Sequence, residues 1–322
     1  NAMKELCRRT SSADRADDSQ VIPDPRVLTE IRKLQYATRK MAREGIIGKY
    51  RSAFRGQGLE FDELREYVPG DDVRLIDWKV TARATTPHVK LFREERELSV
   101  MIAVDISGST GCGSGGKNLM TRGQLLAQVG AILTLIALLN NDKVGLTTFS
   151  DKLESYHPAK RARGAVWRIL REVAGFQHAG KTSLASMVKF LSSVLGRHSI
   201  VFILSDFFDE NFLSRENQAA LGALAKKHDV TAIQIVDPLD GSLPPLPPLE
   251  VSDPETGQCQ IIEADSRRFS SIYSENTDKW QSRLSDTFKR YGIGHIRIKS
   301  DEALLPPLQQ YFEERNRKRG RR

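Results

Sequence analysis

The chain has 322 residues, 39% of them hydrophobic and 28% charged, with a formal net charge of +8. This excludes a collagenous, largely disordered or multi-span membrane chain, and leaves one large domain with attachments, or two domains. Six of the positive charges fall in the last eight residues, 315–322, so the remainder carries only +2 and has no broad basic face.

The cysteines, Cys7, Cys112 and Cys259, are odd in number and far apart, which gives no disulfide framework and points to a reducing cytoplasm. The longest uncharged stretch, 123–141, contains Gln124, Gln128 and Thr134 and reads as a buried helix rather than a membrane span. No signal-peptide pattern is visible, so a cytoplasmic location without a membrane span is the expectation.

Residues 1–24 are polar and charged and are expected to be disordered. From Pro25 the spacing of Val27, Leu28, Ile31, Leu34 and Tyr36 predicts a helix capped by Asp24, with Gly45 and Gly48 ending the region. Residues 50–97 interleave aromatics with charges of both signs and read as a small β-rich attachment whose Arg and Asp side chains pair with one another. Residues 1–97 hold 20 Lys and Arg against 17 Asp and Glu, too little net field for a nucleic-acid surface. Residues 25–97 thus form one N-terminal segment.

From residue 98 strands and helices alternate. Apolar runs at 98–104, 144–149, 200–204 and 230–236 read as buried strands, and 125–139, 165–173, 184–195 and 219–227 as helices. This alternation implies βαβ units and a mostly parallel sheet. Pro238 interrupts the pattern, and a hairpin insertion is expected near 238–264, its strands 249–251 and 258–262 flanking turn residues Asp253 to Gly257. A long helix over 266–291, a strand over 293–298 and a helix over 301–314 complete a domain spanning 98–314. Residues 315–322 are expected to be a disordered basic tail.

Polar residues recur where the first buried strand ends: Asp105, Ser107 and Ser109, with Gly108 permitting a sharp turn. Ligands of open α/β sheets bind at the carboxyl ends of strands. Asp206 ends the next buried strand, and Thr182 opens a helix after Gly180. Two carboxylates and three hydroxyls suit Mg²⁺, with a coordination position left for an anionic oxygen from outside.

Asp105-Ile106-Ser107-Gly108-Ser109, with Thr182 and Asp206, resembles the metal-ion-dependent adhesion site of von Willebrand factor A domains. That resemblance implies Mg²⁺ or Mn²⁺ held by Asp105, Ser107, Ser109, Thr182 and Asp206, completed by a partner's Glu or Asp. The preceding residues sharpen it. Gly58-Leu59-Glu60-Phe61, Arg65, Tyr67, Gly70-Asp71-Asp72, Arg74, Ile76-Asp77-Trp78, Ala82-Arg83 and Glu94-Glu95-Arg96 resemble the signature of the domain-of-unknown-function 58 family. The likeness covers roughly residues 27–300. It implies a Rossmann-like von Willebrand A fold, and a MoxR-type AAA+ ATPase as partner in chaperone-like maturation or metal insertion. The family often has Met where this chain has Thr110.

Two rival readings compete. Gly111-Cys112-Gly113-Ser114-Gly115-Gly116-Lys117-Asn118 nearly fits a phosphate-binding loop, but Asn118 stands where a hydroxyl is needed for Mg²⁺. The basic tail could hold nucleic acid. Neither a zinc-protease nor a GxSxG pattern occurs. The expected function is therefore metal-dependent protein binding without catalysis.

Overall fold

The computed structural model describes residues 45–54, 59–84, 86–94, 98–111, 121–161, 164, 172, 180–209, 211–241, 249–253, 255, 258–262 and 267–319. They divide into two compact units, Phe54–Leu98 and the rest.

The larger unit opens with helix α1 (Ile46–Phe54), which starts at Gly45 in the left-handed region and runs through Gly48. Gly48 therefore does not end a segment, whereas what precedes Gly45 lies outside the described residues. Ile46, Tyr50 and Ala53 are buried, and these apolar positions at helical spacing hold α1 in the larger unit. The helix expected from Pro25 and the disorder expected over 1–24 lie outside the described residues.

The smaller unit is a two-stranded antiparallel sheet, β1 (Leu59–Glu66) with β2 (His88–Glu94). Between the strands lie a 3₁₀ turn over Val73–Leu75 and helix α2 (Trp78–Thr81), capped by Asp72 and Asp77. Its charges pair internally as expected: Arg65 with Asp71 at 2.7 Å and Lys90 with Asp77 at 3.1 Å. Val68, Val73 and Trp78 are exposed.

The remaining elements follow in order. They are β3 (Ser99–Asp105), α3 (Gly108–Gly111), α4 (Arg122–Leu139), β4 (Lys143–Phe149), β5 (Leu153–Lys160), α5 (Leu184–Val194) and β6 (Ile200–Ser205). Then come α6 (Arg215–Lys227), β7 (Asp229–Val236), α7 (Pro238–Gly241), β8 (Leu249–Ser252), β9 (Cys259–Ile262), α8 (Arg267–Arg290), β10 (Gly294–Lys299) and α9 (Leu305–Arg319). The six-stranded sheet has the order β10-β7-β6-β3-β4-β5. All neighbours are parallel except β4 and β5. This is the α/β, Rossmann-like, mostly parallel architecture expected. The antiparallel edge strand β5 was not foreseen: Pro158 and a half-buried, weakly alternating sequence hide it, and proline is tolerated there because the strand is an edge.

β3 sits centrally with Val100 to Val104 buried throughout. Alternation sends Met101 and Ala103 into the core shared with Val188, Leu191, Leu221, Leu284 and Phe288 from α5, α6 and α8. α4 packs on β3, β4, β6 and β7 and is buried along most of its length. It is long and apolar enough to cross a membrane by composition, but its burial against the sheet is that of a core helix. Thr121 and Gln124 form a capping box at its start, so the helix begins three residues earlier than the apolar run predicts.

The hairpin insertion is present as β8 and β9, paired antiparallel. The last helix runs to Arg319, which corrects the expected tail: the chain from Arg315 is helical, and Arg315 is bound to the body of the unit. The helix expected over 165–173, except Glu172, lies outside the described residues, as do 112–118 of the phosphate-loop-like stretch.

Candidate functional site

β3 and β6 are adjacent and parallel, with Val104 in register with Leu204, so Asp105 and the residues after β6 emerge at the same edge. Strand order reverses here: β3 continues through α4 to β4 on one side, while β6 and β7 extend the other. Such a switch point opens a crevice at the strand ends.

Asp105 is fully buried. Its Oδ1 accepts from the Ser107 amide at 2.9 Å, and its Oδ2 accepts from the Ser205 hydroxyl at 2.6 Å. Burial, then the negative charge of Asp206, pushes its pKa up to about 7, against the pull of the Ser107 and Ser205 hydrogen bonds. Asp206 is also fully buried; its Oδ1 accepts from the Phe208 amide at 3.2 Å, and its Oδ2 has no hydrogen-bond partner.

The hydroxyls form a chain. Ser107 Oγ lies 3.1 Å from Ser109 Oγ, and Thr182 Oγ1 lies 2.8 Å from Ser107 Oγ. The loop bearing Thr182 is docked by backbone: the Gly108 amide donates to the Gly180 carbonyl at 3.0 Å, and the Ser183 amide to the Ser150 carbonyl at 2.9 Å. Gly180 has a φ of 83°, which a side chain would strain. The structure thus links Ser107, Ser109 and Thr182 directly, joins Asp105 to them through the Ser107 amide, and sets Asp206 close enough to act on Asp105 by charge.

Four residues of this neighbourhood were missed from sequence. Ser205 holds Asp105. Arg122 lies 3.7 Å from Asp206 Oδ2, donates to the Ser109 carbonyl at 3.1 Å and pairs with Asp240. Its one available signal is position: a cation in the first turn of a helix opposes the helix dipole and needs a reason. Asp240, on α7, has its pKa raised by burial. Glu255, between β8 and β9, accepts from Thr182 Oγ1 at 2.9 Å. Nothing in the sequence ties Glu255 to Thr182.

Among the described residues, no three His, Cys, Asp or Glu side chains gather closely enough to hold a metal by themselves. The donor set is of another kind: two buried carboxylates, one of whose oxygens is an acceptor without a hydrogen bond, beside three linked hydroxyls. All are hard oxygens, and burial with the charge of Asp206 already disfavours ionisation of Asp105. These residues fit a hard divalent cation.

A model of the family described as Protein of unknown function DUF58 matches residues 63–283. Uncharacterized protein Rv1480 of Mycobacterium tuberculosis is 27% identical over 300 residues, covering 92% of this chain and 92% of that protein. Among solved structures, the conserved hypothetical protein BatB from Bacteroides thetaiotaomicron aligns with a TM-score of 0.39 and 17% identity, covering 68% of this chain and 99% of that one. A von Willebrand factor type A protein from Catenulispora acidiphila gives a TM-score of 0.37 and 11% identity, covering 71% of this chain and 43% of that one. The fold rests on the strand order itself, not on likeness at those scores.

Proposed function

This chain belongs to the DUF58 family, and from that premise we propose that it is a non-catalytic adaptor that binds a protein partner through a divalent cation. Asp105 and Asp206 would supply the charge that holds Mg²⁺ or Mn²⁺, and Ser107, Ser109 and Thr182 the neutral oxygens. When bound, the ion supplies a Lewis-acidic position for one further carboxylate. The family resemblance suggests that this carboxylate belongs to a MoxR-type AAA+ ATPase or to its client, met in the cytoplasm.

The observation that carries the proposal is the pair of buried, mutually repelling carboxylates at adjacent strand ends, one with an oxygen that accepts no hydrogen bond. A structural role alone leaves this arrangement costly, because buried carboxylates are kept only with compensation. Arg122 gives part of it, but its pairing is shared with Asp240. A cation bound by all five residues would relieve the rest and make the site's affinity for an acidic partner conditional on metal.

Two measurements test this. Mg²⁺ should raise the melting temperature of the wild type by mass action. Asp105→Asn, which removes one of two like charges at nearly constant shape, should melt higher than wild type without metal and gain nothing from Mg²⁺. In a pull-down of the cognate ATPase, EDTA and the double substitution Ser107→Ala with Ser109→Ala should each weaken binding by at least about tenfold, the scale on which even outer-shell changes weaken metal sites. An equal Mg²⁺ gain in Asp105→Asn, or binding unaltered in all arms, would overturn the reading.

A further inference from the structure

Glu255 lies in the turn of the β8–β9 hairpin, half-buried, with its carboxylate against the hydroxyl of Thr182 at 2.9 Å. The turn is closed by the Asp253 amide donating to the Gln258 carbonyl at 2.8 Å, and the Glu255 amide is fixed by Asp253 Oδ1 at 2.9 Å. Thr182 can give its one hydroxyl proton only to an acceptor, and a carboxylate can only accept, so Thr182 donates to Glu255 while its oxygen remains free to accept from the Ser107 hydroxyl. The chain therefore places one of its own carboxylates at the hydroxyl cluster, the chemistry that an acidic partner would bring.

The hairpin that carries it stands apart from the main sheet. β8 and β9 pair only with each other, and neither joins the six-stranded sheet. Val251 is 38% exposed and Ile261 76% exposed. A two-stranded hairpin on its own is marginally stable, so contacts beyond the strand pair help to seat it, and Glu255 makes one of them at Thr182.

We propose that Glu255 is an internal occupant of the carboxylate position beside Thr182, and that the β8–β9 hairpin must leave this position before an acidic ligand can enter. This deepens the metal-site reading above and rests on it. A tethered carboxylate acts at an effective concentration in the millimolar range. An external carboxylate then sees its affinity reduced by the fraction of time the hairpin is away. The site would favour a partner that also engages the hairpin, because such a partner removes the competitor as it binds.

The test uses the full chain with Mn²⁺, read by water-proton relaxation, and acetate as the carboxylate probe. Wild type, Glu255→Ala, Glu255→Gln and Asp105→Asn are compared. Wild type and both Glu255 variants should bind Mn²⁺, and Asp105→Asn should not. Acetate should lower the relaxation of the bound ion at about tenfold lower concentration in Glu255→Ala than in wild type, the factor expected if the hairpin is open about a tenth of the time. Glu255→Gln should shift in the same direction, which separates loss of the carboxylate from disturbance of the turn. In wild type, saturating acetate should also speed amide exchange over residues 258–262. Mn²⁺ bound normally, with one acetate midpoint for wild type and both variants, would overturn the hairpin proposal and leave the metal site standing. Absence of Mn²⁺ binding in wild type would overturn both.

Discussion

Phe207 follows Asp206 with a φ of 61°, a conformation that a bulky residue rarely adopts. Its amide and its ring both hold it there. Its amide donates to Ser205 Oγ at 2.9 Å, and its fully buried ring meets Phe288 edge-on, with centroids 5.4 Å apart. Core packing thus offsets backbone strain next to a site carboxylate, a place where such strain accumulates. Phe207→Ala should cost about 3–5 kcal/mol. At an ordinary buried position glycine would be worse than alanine by about 0.5–1 kcal/mol; at this φ it should be no worse. Urea midpoints of the two variants decide it, and a clearly less stable Phe207→Gly would contradict the strain account. His295 gives a second prediction. It touches Gln234 Oε1 at 3.2 Å and the Phe288 ring, and burial, then the charges of Arg297 and Lys289, lowers its pKa to about 4. Between pH 6.5 and 4 the unfolded chain takes up a proton that the folded chain refuses, so stability is full above this window and falls as pH drops through it. The loss approaches about 3 kcal/mol. The wild-type curve of unfolding free energy against pH should be steeper there than that of His295→Gln; parallel curves would refute it.

At the scale of elements, Arg315 shows how composition misleads. A run of Arg, Asn and Lys without apolar residues reads as solvated chain, yet α9 carries it. Arg315 donates from Nε to the Ala53 carbonyl at 2.9 Å and from Nη1 to the Tyr311 hydroxyl at 3.2 Å, and pairs with Asp229. The partners are remote in sequence, so no local window reveals them. Arg315→Ala leaves the mostly buried Asp229 without its cation and should cost about 2–3 kcal/mol by chemical denaturation. Arg315→Lys should recover only part, because an ammonium cannot span those acceptors. Unchanged stability in both would return this residue to the status of a solvated tail. The strands β3, β4, β6 and β7 were readable because strands buried on both faces leave continuous apolar runs. β5 was not, since an edge strand with a proline has neither the run nor the alternation. The start of α4 is encoded by Thr121 and Gln124 as a capping box, three residues before the apolar run begins.

At the scale of the molecule, the α/β architecture follows from the alternation of elements, and the edge at which Asp105 and Asp206 emerge follows from parallel register. What stayed hidden at the site arrives by tertiary route: Arg122 from a helix start, Asp240 from a four-residue turn of helix, and Glu255 from an insertion. Their meeting depends on how α4, α7 and the hairpin pack, which spacing does not encode.

The contact between α1 and α9 has a consequence for how the chain is made. Tyr50 stands edge-on to Phe312, with ring centroids 5.6 Å apart, and Ala53 is bonded from Arg315, 262 residues later. At about 5–20 residues per second, the first partner waits on the ribosome for the second for roughly 13–50 s. The Phe54–Leu98 unit, whose strand pairing is local, can close during that interval. Tyr50 and Ala53 cannot make their contacts with α9 until that helix has emerged. Every nascent chain therefore passes through a stage in which its earliest described helix is sticky, and a message cut short before α9 would leave it so permanently. Such products should be held by chaperones or degraded, even though most of the sheet has already been synthesised.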